Sequence, residues 1–481
     1  MVTESAAGSL DDRAEYDRRT RSAVRLVMLA SFMVLADVSI MNVAGPVIQR
    51  DLGADLGEVQ LMIAVYQIAY ASLLVTGGRL GDIHGRRLLV VVGTVCFLLA
   101  SVACGVAQDP LQLIVFRGAQ GASAALLSPQ VVATIQVAVP QARRMSALSL
   151  LGAVMQIATI IGPLIAGVAI AWNPGGLSWR LIFFVNVPVC LVLLVRHTLV
   201  PADRAAGRRR IDGAGVVLVV LTLLALTVPL TVARGRGWPL WGWVMLAASP
   251  LLLAAFAFAQ RRLNARGAEP LLPLQLWREG GFRASVLLYL VFFGGAICFF
   301  LYYALVLQGG LGMSAFWTSV SVTPYAVGAM ASSSYSRKLV PRIGARRTVL
   351  TGIAFCCAGT ASMLLPLALS RTSALPVWML GPLTITGIGM GLVIAPLLSL
   401  ALAGIEPAHA GAASGLLSTV QQVGGALGVV VMGLLFSVSE SGPASLSELG
   451  DGLMRGLLFE VAAFLLAAVL IMRLARVTRP A

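Results

Sequence analysis

Stretches of about twenty apolar residues recur along the whole chain, and the hydrocarbon core of a bilayer is the solvent that this length matches. The stretch from Leu29 to Ile48, LASFMVLADVSIMNVAGPVI, constrains the chain most, because a single carboxylate, Asp37, sits near its middle. A charge at mid-membrane costs about 2.5–3.5 kcal/mol even on lenient insertion scales, so such an acid faces a protein interior or a water-filled path. The ordinary alternative is an acid near a helix end that reaches the interface, but apolar residues extend well to both sides of Asp37. Asp37 is therefore the first candidate functional residue.

With 58% hydrophobic and only 11% charged residues, and a mean hydropathy of +0.90, the chain lies outside the soluble range. No soluble domain of useful size remains, and the expected fold class is an all-α polytopic membrane protein. Only Asp37 and Glu460 among the acids lie well inside apolar runs. The net charge of +15 sits in short clusters between those runs rather than on one polar face, which argues for membrane topology and against nucleic acid. The six cysteines fall in expected spans without metal-ligand or disulfide-like spacing, so no metal is expected. Lysine occurs once, at Lys338, and arginine's G+C-rich codons point to a high-G+C bacterial genome.

Apolar runs of roughly 19–26 residues, taken as helices, give fourteen spans. They start near Val24, Leu61, Leu88, Leu111, Ser146, Leu181, Gly213, Leu240, Ala284, Ser314, Thr348, Pro376, Gly411 and Leu453. Residues 1–23 form a polar tail, and the run after it is too long for a signal-peptide core. With that tail inside, most arginines fall on the cytoplasmic side, the positive-inside pattern, and the tail 473–481 also lies inside.

The connection between the second and third spans reads GRLGDIHGRR, and RKLVPRIGARR echoes it between the tenth and eleventh. Aligning Gly85 with Gly344 gives an internal repeat offset of 259 residues. That offset divides the chain into a six-span bundle at 24–199, a 200–283 segment holding two inserted spans near 213–259, and a second bundle at 284–472. Gly78 and Gly85 permit a tight turn and close backbone approach, while Asp82, with Arg79, Arg86 and Arg87 around it, can pair or accept helix-terminal N–H groups. This is a breakable latch or a static topological anchor. In the echo Pro341 replaces the aspartate.

At this point the chain resembles the major facilitator superfamily, specifically its fourteen-span drug:proton antiporters. The loop matches the superfamily's cytoplasmic motif, and four further stretches match in order. These are DVSIMNVAGP around Asp37, LIVFRGAQGASAA around Arg117, GPLIAG at Gly162–Gly167, and SGLLSTVQQVGGALG from Ser414. Two departures are Ala166, where a second glycine is usual, and Leu61, where tryptophan is common. The resemblance implies two six-helix halves plus two inserted helices, with the loop steadying the outward-facing state. It also implies that Arg117 lies beside the central cavity, where it governs whether a nearby acid holds its proton.

Physical reading of the remaining residues leaves alternatives open. Arg117 lies within a span and needs a partner unless it snorkels outward. Gly152, Gly162, Pro163 and Gly167 favour a kinked, closely packed fifth span, which the resemblance links to antiport. Glu460 is either a second titratable site or an acid in a narrow vestibule or paired with Arg455. Asn42, Tyr66, Gln67, Tyr70, Gln156, Gln421 and Gln422 are candidates to line a cavity for a mixed polar and apolar molecule. The aromatics Tyr289, Phe292, Phe293, Phe299, Phe300 and Tyr303 read as a lipid-facing or interfacial belt.

The leading expectation is a monomeric, proton-driven exporter of a small amphipathic drug, antibiotic or toxic metabolite in the bacterial cytoplasmic membrane. It needs no cofactor beyond the proton gradient, and its partners are substrate, protons and lipid. An uptake symporter shares the fold and the intramembrane acid, and GPLIAG argues against it. A membrane enzyme would need a convergent nucleophile, base or metal cluster, and His84, His197 and His409 are scattered.

Overall fold

The computed structural model describes residues 2–201, 212–233, 237–266, 280–297, 299–369, 374–402, 405, 410–436 and 445–477. Side chains are described except at 2–18, at scattered positions from 142 to 160, and at a few segment ends. Thirteen helices among the described residues are long and apolar enough to cross a membrane. In the N-terminal half, spans one to six are Arg19–Leu52, Leu56–His84, Arg86–Gly105, Pro110–Ala138, Leu150–Trp172 and Ser178–Val195. Spans seven and eight are Gly213–Ala233 and Leu240–Ala265. Span nine is Gly281–Gly310, and spans eleven to fourteen are Ala345–Leu369, Leu375–Ala401, Ala413–Leu435 and Leu446–Arg473.

The expected span from Ser314 forms in two pieces, Ala315–Ser321 and Thr323–Ile343. Its serines and the basic residues Arg337, Lys338 and Arg342 keep it below the hydropathy of the others, and it takes its place as span ten. The first helix also continues back through the polar tail to Val2.

Local chemistry sets the helix starts. Asp55 and Glu58 form a reciprocal capping box before span two, and Asp109 caps span four with Pro110 in its first turn. Ser445 and Glu448 repeat the box at span fourteen. Spans two and three meet at Gly85, whose φ of 97° is closed to ordinary side chains, and Gly344 repeats that geometry at φ 84°. The internal repeat read from sequence is thus also a repeat of backbone conformation.

Within each half the helices pack backbone to backbone. A Cβ at Gly121 of span four would collide with the Tyr66 carbonyl of span two, and one at Gly387 of span twelve with the Tyr325 carbonyl of span ten. Between the halves, Gln308 donates to the Val43 carbonyl at 2.9 Å, and Ser319 donates to that of Pro163 at 2.6 Å. Both bonds lie between Asp37 and the Asp51 end of the bundle. Span thirteen lies along span two, with Thr419 donating to the Ala71 carbonyl at 3.2 Å.

The aromatic residues of span nine do not form a belt. Tyr289, Phe292, Phe293, Phe299 and Tyr303 are buried, and Phe292 packs on Phe464 with ring centroids 5.5 Å apart. They fill the interior because both faces of span nine are covered, by spans thirteen and fourteen on one side and by span one on the other. Hydropathy cannot separate that environment from lipid.

Candidate functional site

Span one carries Asp37 into the middle of the N-terminal half, where its side chain is 2% exposed. Span four presents Arg117, 1% exposed, and its Nη1 donates to Asp37 Oδ2 at 2.5 Å. The i, i+3 spacing puts Gln120 on the same face of span four; its Nε2 donates to Asp37 Oδ1 at 2.9 Å and its Oε1 accepts from Arg117 at 2.7 Å. Span six adds Asn186, whose Nδ2 donates to Oδ1 at 2.9 Å, and Ser101 of span three accepts from Gln120 at 2.9 Å. Arg117 does not snorkel.

The guanidinium also lies 4.3 Å from the centroid of the Tyr66 ring and 6.0 Å from that of Phe183. Tyr66, expected among the cavity-lining residues, is fully buried and forms a platform under Arg117. An ionised carboxylate accepts and does not donate, so three donors converging on Asp37 match its charged form. A proton on Oδ2 would confront the Arg117 N–H. Protonation and this ion pair therefore exclude one another at that oxygen.

The other expected residues scatter. Gln67 is 1% exposed with neither amide atom hydrogen-bonded, beside Gly425 of span thirteen. Asn42, Tyr70, Gln421 and Gln422 are half-buried, and the side chain of Gln156 lies outside the described residues. In span five, Gly162 abuts Ser39 and Ala36 of span one, and Gly167 abuts Phe316 and Ser319 of span ten. Gly152 departs from the expected close packing: among the described residues it is exposed, with open space where a Cβ would stand. In the Gly78–Arg87 loop, Arg87 donates to the carbonyls of Val200 at 2.8 Å and Thr198 at 3.1 Å, both in its own half. Glu460, 3% exposed, lies in the C-terminal half against Gly295 of span nine, and Arg455, five residues before it, is exposed.

Asn186, Ser101 and Phe183 were not singled out from the sequence. The signal for Asn186 was present as the one amide in the apolar run LIFFVNVPVC, the same kind of anomaly that marked Asp37.

A multi-pass helical bundle in two related halves, with a buried acid held by an arginine in one of them, is the architecture of a membrane transporter. The chain belongs to the Major Facilitator Superfamily, whose sequence pattern matches residues 27–429. It is 36% identical over 423 residues to a probable actinorhodin transporter of Streptomyces coelicolor, covering 88% of this chain and 73% of that one. A cephamycin export protein of Amycolatopsis lactamdurans is 33% identical, over 100% of this chain and 98% of its own. A puromycin resistance protein of Streptomyces alboniger is 34% identical, over 92% and 89%.

Among solved structures, one of a proton-dependent oligopeptide transporter superposes with a TM-score of 0.67 at 15% identity, covering 95% of this chain and 99% of that one. The xylose transporter of E. coli superposes with a TM-score of 0.63 at 12% identity, covering 95% and 98%. These likenesses are of fold. The protein is a multi-pass membrane transporter of small molecules and not an enzyme.

Proposed function

We propose that the chain is a proton-coupled antiporter that exports a small amphipathic antibiotic or toxic metabolite. It works as a monomer in the bacterial cytoplasmic membrane, with both termini inside and the proton gradient as its energy source. The observation that carries this reading is the saturated Asp37 site. Its carboxylate is held by Arg117, Gln120 and Asn186 on two further spans, so a proton arriving at Oδ2 displaces the guanidinium and loosens span four from span one. The names of two of the three relatives, one of export and one of resistance, support export over uptake.

Alternating access then requires the halves to part where Gln308 meets Val43 and Ser319 meets Pro163, and to close at the Gly85 end. Gly162 sits against span one next to the acid, and Gly167 sits against span ten, so span five touches both the proton site and the seam between halves. The test is uptake of puromycin and of a panel of aromatic antibiotics into everted membrane vesicles, with and without an imposed pH gradient. Accumulation that follows the gradient and collapses with a protonophore is expected. Accumulation that ignores the gradient would overturn coupling, and accumulation only in right-side-out vesicles would overturn export.

A further inference from the structure

Spans two and thirteen form the most extensive contact between the halves, and they cross it antiparallel. Gln60 of span two abuts Gly433, Gln67 abuts Gly425, and Thr419 donates to the Ala71 carbonyl. These contacts run from the outer end of span two to its middle, the same part of the molecule that the Gln308 and Ser319 bonds hold shut.

Three polar side chains on the seam between halves reach a carbonyl of the other half: Thr419 that of Ala71, Gln308 that of Val43 and Ser319 that of Pro163. Gln67 does not. Tyr66, one residue earlier, turns into the N-terminal half under Arg117, and the helical step of about 100° carries Gln67 to the seam instead. There Gln67 is buried, and neither its Oε1 nor its Nε2 has a hydrogen-bond partner among the described residues. What faces the amide is apolar. A Cβ on Gly425 would stand 3.2 Å from Oε1, 3.5 Å from Nε2 and 2.9 Å from Cδ1 of Ile297, so the amide lies against a bare glycine Cα and a methyl group. Ala64, Ile68 and Ala426 form an apolar cluster on the same two spans.

An amide buried without partners bears the cost of its lost hydration, and a leucine or methionine in the same place would not. That cost belongs only to the conformation in which the outer parts of spans two and thirteen meet, because parting them returns the amide to water. We infer that Gln67 is a positioning residue for the conformational cycle: its unpaired amide penalises the conformation closed on the outer side and poises the carrier to open there. Gly425 provides the gap into which the amide is pressed. The inference rests on alternating access in the proposed function and on neither the substrate nor the direction of transport.

The experiment uses the full chain in lipid nanodiscs, with spin labels on Leu111→Cys and Leu369→Cys and with the exposed Cys96→Ser. Both labelled positions are exposed, at the outer start of span four and the outer end of span eleven, one in each half. Pulsed electron spin resonance then gives the ratio of short to long distances, with neither substrate nor gradient present. The native chain is expected to show both distances, and Gln67→Leu to raise the share of the short one about tenfold. Gln67→Asn keeps an amide on the seam and is expected to stay within about threefold of native. Should Gln67→Leu not fold, Gln67→Met, unbranched and of similar length, decides with the same expectation. An unchanged ratio would overturn the inference, since it means that the amide is equally satisfied in both conformations. A shift toward the long distance would overturn it too, by making Gln67 a clasp that holds the seam shut. So would a native chain found wholly at the short distance, or Gln67→Asn behaving like Gln67→Leu. Failure to pump on a pH gradient bears on the export reading alone and leaves these populations standing.

Discussion

Asn186 donates its side-chain amide to Asp37 at 2.9 Å across 149 positions of sequence, which makes span six, after spans one and four, a third contributor to the hydrogen bonds on the carboxylate. Hydrogen bonds to a charged group contribute about 1.5–3 kcal/mol each, so losing this donor weakens the ionised form of the acid against the protonated one. Asn186→Leu is expected to move the pH optimum of transport upward, with membrane insertion intact. Transport by the reconstituted variant across a pH series checks this, and an unmoved optimum would show that Asn186 only fills space.

Asp37→Asn keeps the shape of the side chain and removes its proton. The amide cannot satisfy all three converging donors, so the cluster around Ser101 and Gln120 loosens without a charge to organise it. Transport driven by a pH gradient is expected to fall by at least about a hundredfold, as for loss of a group that handles the proton directly. Equal amounts of native and variant protein in vesicles give the comparison. Undiminished gradient-driven flux would remove Asp37 from coupling.

Gly85 holds a φ of 97° at the turn between spans two and three. A β-branched residue there is strained by about 1–3 kcal/mol, and the strain lands on the connection rather than on any cavity. Gly85→Val is therefore expected to slow turnover at saturating substrate while leaving the binding affinity of a fluorescent substrate nearly unchanged. The same separation is expected for Asp82→Asn. A proportional loss of affinity with normal turnover would contradict a role in the conformational cycle.

Thirteen of the spans and the echo of Gly85 in Gly344 were legible because each rests on local signals: apolar length, caps such as Asp55 with Glu58, and a glycine at a positive φ. The acid and the arginine were legible as charges in apolar runs. Their company was not. Ser101 and Asn186 are ordinary polar residues in single spans, and only the packing of span three against spans four and six brings them to Asp37. The place of Tyr66 was illegible for the same reason, since a tyrosine under a guanidinium and a tyrosine lining a cavity look alike in sequence. The aromatics of span nine show the limit most plainly, because a helix buried in protein and one facing lipid are equally apolar.

The ion pair between Arg117 and Asp37 gives a prediction in which two losses do not add. Arg117→Gln leaves a buried carboxylate without its cation, and breaking a buried pair by removing one partner destabilises by about 3–5 kcal/mol. Taking up a proton relieves that penalty, so the transport optimum of this variant is expected to shift upward. For the same reason the variant is expected to be least stable at alkaline pH, where the carboxylate stays ionised, and to recover as the pH falls. Asp37→Asn in the Arg117→Gln background removes the stranded charge. The double variant should therefore be more stable at alkaline pH than Arg117→Gln alone, and no more impaired in coupling than Asp37→Asn alone. Thermal unfolding in detergent and gradient-driven transport, both followed across a pH series in the two single variants and the double, test the pair. Losses that add independently, with an unchanged optimum in Arg117→Gln, would show that the two residues do not act as one site.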